Sequence, residues 1–375
     1  MPVMIGMRLF VTTFVLSVSN DFASLGIFRI AMFAAVWGAF FVLAPFCKRR
    51  GYLLVYRVGF ALSLLFFVLI AALGEDTRQY LVLTGVFLGV SVGAYWLPYH
   101  LYKMALSRRD SRLTYFSYES SVFQLVNILC PILLGWLIWS TGSYVWFFLL
   151  CSVLLYAGFA LSGMLETIPA GSLSSYNLRA FAALVRGSPD LRSIYRATFF
   201  MGLGMYGALD ILVAAVIFSA LGSELRLGVV ASVLPVFSAV ASFMMQKARP
   251  SYYRSISLAS ACALFAASGL LVLDISAVTV VLYSLIYAVS TQPLTILHQL
   301  YLHNVIDKNP DFAARIPEHF VTFESALELG RVMGFMLFLF LPGIDVNSSA
   351  VLTVFIILSA SSIPAAYFVT RTGID

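Results

Sequence analysis

Residues 320–341 read FVTFESALELGRVMGFMLFLFL, an apolar run long enough to cross a bilayer that nevertheless carries Glu324, Glu328 and Arg331. The glutamates are four apart and the arginine is three beyond the second, so on a helix all three share one stripe, about a turn from each other. On insertion scales a charged group at mid-span costs roughly 2.5 to 3.5 kcal/mol, which turns such a stripe toward a helix bundle or a wet cavity and away from lipid. Two roles remain open for it: an ion pair that locks two helices, or a gate.

The run has an echo half a chain earlier. Phe323-Glu324-Ser325 answers Tyr118-Glu119-Ser120, each at the mouth of an apolar span, and Pro293 in the preceding span answers Pro98. The order of signals is duplicated, as expected of a chain built from two repeats.

The 375 residues are 61% hydrophobic and 11% charged, with mean hydropathy +0.95, which is more apolar surface than one water-soluble core can hide. The chain reads as an all-α polytopic membrane protein, because its apolar runs are about twenty residues long rather than ten-residue alternating segments. Its net charge of +6 does not point to nucleic acid, since the basic residues fall in short clusters between spans. Met1–Val18 has no small-residue cleavage site and reads as a short first span. Cys47, Cys130, Cys151 and Cys262 lie in or beside apolar runs without paired spacing and read as packing residues.

Spans are expected near 3–19, 25–46, 52–73, 79–104, 115–139 and 144–165, then near 194–221, 227–246, 252–273, 277–302, 320–341 and 349–370. Twelve spans with both termini cytoplasmic put all the Lys and Arg on or near the inner side except Arg29, Arg78 and Arg226 outside and Arg331 in a span. The connector holds one amphipathic segment, Asn177–Arg186, with Leu178, Phe181 and Val185 at helical spacing and Gly187 closing it, expected to lie along the membrane interface. The domains are therefore an N-terminal six-helix bundle (1–165), a cytoplasmic linker with an interfacial helix (166–193) and a C-terminal six-helix bundle (194–375).

Six plus six spans, a central inner loop, inward termini and basic loops after spans 2 and 8 resemble the major facilitator superfamily over essentially the whole chain. The family's loop signature, Gly-x-x-x-Asp-x-x-Gly-Arg, survives in Ala44–Tyr52 only as Gly51 and basic character. Cys130-Pro131 with Gly135 is similar to the glycine-and-proline span 5 of the family's antiporters, an efflux type. The resemblance implies a central cavity lined by spans 1, 4, 7 and 10. Substrate contacts are then expected from Tyr95, Trp96, Tyr99 and His100 in span 4, Tyr206 in span 7, and Tyr287, Gln292 and His298 in span 10. Rings among amides suit a small amphipathic organic solute. The resemblance also implies an inner gate in which Glu324 meets Arg49 or Arg50 and Glu119 meets Lys247 or Arg249, with Glu328 and Arg331 paired one turn deeper.

Asp210, mid-span behind Gly202, Gly204 and Gly207, is expected to be a proton-coupling or substrate-cation site in the central cavity, the alternative being a hydrogen-bonded Asp that bridges helices. The glycines there allow close helix approach or a loosened backbone. His298, His303 and His319 match no zinc spacing, and no phosphate loop or nucleophile elbow occurs, so neither metal nor cofactor is expected and catalysis is not. The expected protein is a monomeric secondary transporter in the cytoplasmic membrane, with a small-molecule substrate, protons and the bilayer as partners and no nucleic acid. The alternative is a membrane-embedded enzyme or receptor that keeps the fold.

Overall fold

A computed structural model describes residues 2–106, 112–165, 176–307, 315–341, 343 and 348–371, with side chains for all of these except 2–8, 50, 104–106, 112–121, 124, 246, 304, 306 and 307. Among the described residues there are helices and no strands. The first group is α1 (Pro2–Ser19), α2 (Phe22–Arg50), α3 (Tyr52–Leu73), α4 (Leu81–Leu106), α5 (Arg112–Thr141) and α6 (Tyr144–Leu161). Then come α7 (Leu178–Gly187), α8 (Pro189–Leu203), α9 (Ala208–Leu221), α10 (Glu224–Gln246), α11 (Tyr253–Leu273) and α12 (Ala277–Asp307). Last are α13 (Ile316–Met336), extended by a 3-10 turn to Phe340, α14 (Ser349–Ala360) and α15 (Ser362–Val369).

Eight described segments are long and apolar enough to cross a membrane, and one of them, Tyr52–Lys103, contains both α3 and α4. The protein is a multi-pass membrane protein. The 320–341 run is not among the eight, because it carries three charged residues, Glu324, Glu328 and Arg331.

Backbone-to-backbone contact draws the helices together. Gly85, Gly89 and Gly93, four apart on one face of α4, lie against α2, so that a Cβ at Gly85 or Gly89 would strike the Phe28 or Met32 carbonyl and one at Gly93 the Ala39 side chain. Without a hydrophobic driving force between helices in lipid, such small-residue stripes let van der Waals contact do the packing. The first group meets the second chiefly where α2 lies along α13 and α5 along α10. In the latter seam Gly135 lies on Glu224 and Gly228 lies on Pro131.

Arg29, in the second turn of α2, is only 3% exposed, and its guanidinium donates to Thr12 Oγ1 at 2.6 Å while lying over the Phe28 ring. Two expectations need correction. Span 7 is not one helix over 194–221, since it starts at Pro189 and breaks between Leu203 and Ala208. Gly187 does not close α7 from outside it: it is the last helical residue, and Ser188 follows with extended φ/ψ and caps α8 by accepting from Leu191 N, with Pro189 in that helix's first turn. The α7 segment itself forms as expected, capped by the Asn177 side chain on Ala180 N at 2.9 Å. Its Phe181 is buried on the protein, 6.2 Å from the His319 ring.

Candidate functional site

The break between α8 and α9 organises the site. From Gly204 to Gly207 the backbone leaves the helical ladder, and wide turns bridge it, Tyr206 N to Met201 O (2.8 Å) and Leu209 N to Gly204 O (3.1 Å). Freed carbonyls at membrane depth need donors from neighbouring helices. Arg331 Nε on α13 donates to Tyr206 O at 2.7 Å, and the Tyr287 hydroxyl on α12 donates to Met205 O at 3.1 Å. Close approach makes this possible: a Cβ at Gly202 would strike Leu327 O, and Cβ atoms at Gly330 and Gly334 would strike Phe199 O and Leu203 O.

Asp210 lies in the first turn of α9, just past the break. Its Oδ1 accepts from the Tyr287 hydroxyl at 2.5 Å. The open N–H groups and dipole of a helix N-terminus favour an anion there. Arg331 also pairs with Glu328 at 2.5 Å and lies over the Phe33 ring of α2 at 5.0 Å, so one guanidinium ties the broken helix to the first group. Glu328 is fully buried, and that pair offsets the cost of its charge.

A second cluster lies up the same helix toward the end that carries Lys48. Glu324 Oε1 is 3.7 Å from His100 Nε2 on α4. The imidazole is held between Trp96 (centroids 5.5 Å) and Phe320 of α13 (5.0 Å), both nearly parallel to it, and Tyr99 meets Trp96 edge-on at 5.1 Å.

Tyr206, Asp210, Tyr287, Glu328 and Arg331 thus come together, as do Trp96, Tyr99, His100 and Glu324. Tyr95 borders the second cluster, stacked on Tyr99 at 6.0 Å and buried against Tyr56 and Phe60 of α3. Others are engaged elsewhere: Gln292 accepts from Ser242 on α10 at 3.2 Å, and His298 Nε2 bonds Thr198 on α8 at 2.8 Å. Arg49, Lys247 and Arg249 are exposed. The side chains of Glu119 and Arg50 lie outside the described residues.

The structure adds a contact that the sequence reading passed over. Lys48, neighbour of Arg49, pairs with Glu318 at 2.9 Å, and the same carboxylate oxygen accepts from Asn177 N of the connector at 3.0 Å. Pro317 was the available signal: a proline in the first turn starts α13 well before Phe320 and brings Glu318 into the helix. Farther along the α2–α13 seam, Trp37 Nε1 donates to Ser325 Oγ at 2.9 Å.

Two solved structures that share this fold are transporters. A D-xylose-proton symporter superposes with TM-score 0.71 at 14% identity, covering 99% of this chain and 95% of that one. The nucleoside transporter NupG does so with TM-score 0.64 at 13% identity, covering 100% and 98%. The chain has the major facilitator fold. No family model matches it. Among curated proteins, YqgE of Bacillus subtilis (strain 168), described as uncharacterized, is 24% identical over 337 residues, 88% of this chain and 77% of that protein. A Geobacillus stearothermophilus protein from the sodM 3' region, also uncharacterized, is 26% identical over 129 residues, 34% of this chain and 60% of that one.

Proposed function

We propose that the protein is a secondary active transporter that moves a small, amphipathic organic solute across the cytoplasmic membrane by alternating access, coupled to protons. The observation that carries the proposal is the interrupted α8–α9 helix, with the Asp210 carboxylate beside its opened backbone and donors from α12 and α13 holding the freed carbonyls. Discontinuous helices at a repeat interface are how many secondary transporters place polar groups at mid-membrane. The twelve spans are α1 to α6, then α8 with α9, α10, α11, α12, α13 with its 3-10 tail, and α14 with α15. The bundles divide at the 166–193 connector, and both termini and the Lys48 end are cytoplasmic.

Asp210 carries the transported proton, and Tyr287 holds its carboxylate toward the break. Trp96, Tyr99 and Tyr206 give a solute apolar faces to lie on. The sugar and nucleoside specificities named for the structural neighbours make those two solute classes the first to try. The test is uptake of labelled D-xylose, uridine, a dipeptide and a lipophilic cation into proteoliposomes, with and without an imposed pH gradient, for wild type and Asp210→Asn. The expected result is gradient-driven accumulation of one of the four that the variant loses. Full gradient-driven accumulation by the variant would make Asp210 structural. No flux of any of the four by folded wild type would favour the reading that this is a receptor or enzyme on a transporter fold, for which the eroded Ala44–Tyr52 signature speaks.

A further inference from the structure

Of the three charges on the α13 stripe, two satisfy each other. Arg331 reaches Glu328 at 2.5 Å, and Glu324, only 5% exposed, shares a side-chain hydrogen bond with Glu328 on its own helix while facing His100 across the seam between α4 and α13. The imidazole is fixed by both sides at once, Trp96 on its own helix and Phe320 on α13. Other ionisable groups act on this spot from every side. On α4 there is Lys103, on α12 His303, and on α13 His319 together with Glu328 and Arg331. Lys48 of α2 is held by Glu318, and Arg57 of α3 donates to Ser162.

We infer that His100 and Glu324 form a one-proton site whose occupancy decides whether α4 and α13 stay in contact. With neither group protonated, the closed seam buries a carboxylate with no compensating charge on its partner, which is costly in a medium of low dielectric. One proton cures this on either group: on His100 it makes an imidazolium–carboxylate pair, on Glu324 a neutral acid beside a neutral imidazole, and both have zero net charge. The proton comes from water as the seam closes and returns to water as it opens. The inference rests on the transporter reading for its use but not for its test, which needs no solute.

The experiment replaces the four native cysteines, places spin labels at Leu54→Cys on α3 and Tyr252→Cys before α11, both exposed, and records the distance distribution between pH 5 and 9 in reconstituted protein. The short-distance population should grow relative to the long one as pH falls, by up to tenfold per pH unit, the limit for one proton. Glu324→Gln, a permanently neutral partner, should stay short from pH 9 to about pH 7 and lose short population only below about pH 6.5, where a freed imidazole takes a proton that the closed seam does not hold, and His100→Gln should move the wild-type midpoint to lower pH. A wild-type distribution that does not change with pH overturns the inference. So does a Glu324→Gln or a His100→Gln protein that titrates as wild type does.

Discussion

Arg331 serves two acceptors, the Glu328 carboxylate and the Tyr206 carbonyl, and both are lost together if it goes. Arg331→Met leaves Glu328 buried and unpaired, which should cost about 3 to 5 kcal/mol. Arg331→Met combined with Glu328→Leu should recover much of that, because removing both charges is far milder than stranding one. Thermal unfolding in detergent measures both. Equal losses for single and double variant would mean that the pair is not what holds the seam. Tyr287→Phe removes the one hydroxyl hydrogen that lies between Asp210 and Met205 O, which should lower stability by about 1 to 3 kcal/mol in the same assay. At this scale the sequence was legible where spacing fixes neighbours, as for Glu328 and Arg331, three apart on one helix. The Tyr287–Asp210 and Lys48–Glu318 contacts join residues 77 and 270 positions apart, and only the packing of helices brings them together.

Gly202, Gly204 and Gly207 announced that something loosens or closes at the span 7 helix, and both happen: the backbone opens after Leu203, and Gly202 and Gly330 let α8 and α13 touch backbone to backbone. Which of the glycines would do which was not legible, because both uses need the same missing side chain. Gly330→Ala pushes a methyl group into Phe199 O and should destabilise by about 1 to 3 kcal/mol. Gly38→Ala on α2 meets nothing within 4 Å and should gain about 0.5 to 1 kcal/mol from helix propensity. Reversal of that order in thermal unfolding would contradict the packing described for α8 and α13. The connector has its own titration. Burial, aided by Glu318, pushes the Tyr176 hydroxyl up from 10.0 to about 12. A proton held more tightly in the docked state stabilises docking below pH 10, and that stabilisation is lost as pH rises through about 12. Proteolytic cleavage of the connector should therefore quicken between those values in wild type and show no such rise in Tyr176→Phe.

Across the whole molecule, the fold was readable because hydropathy and the placement of basic loops depend on the membrane rather than on any one contact. The seams α2–α13 and α5–α10 follow from that fold, and at the Lys48 end one seam is fastened by Lys48, Glu318 and the connector backbone. A transporter must open such a fastening in each cycle, since the two groups of helices have to part at that end while the far end closes. Joining Lys48→Cys to Glu318→Cys with a short reducible cross-linker, in protein without its native cysteines, holds that end shut. Uptake into proteoliposomes, measured for whichever solute wild type accumulates, should fall at least tenfold when cross-linked and return on reduction. Full uptake by the cross-linked protein would contradict alternating access between the two groups of helices.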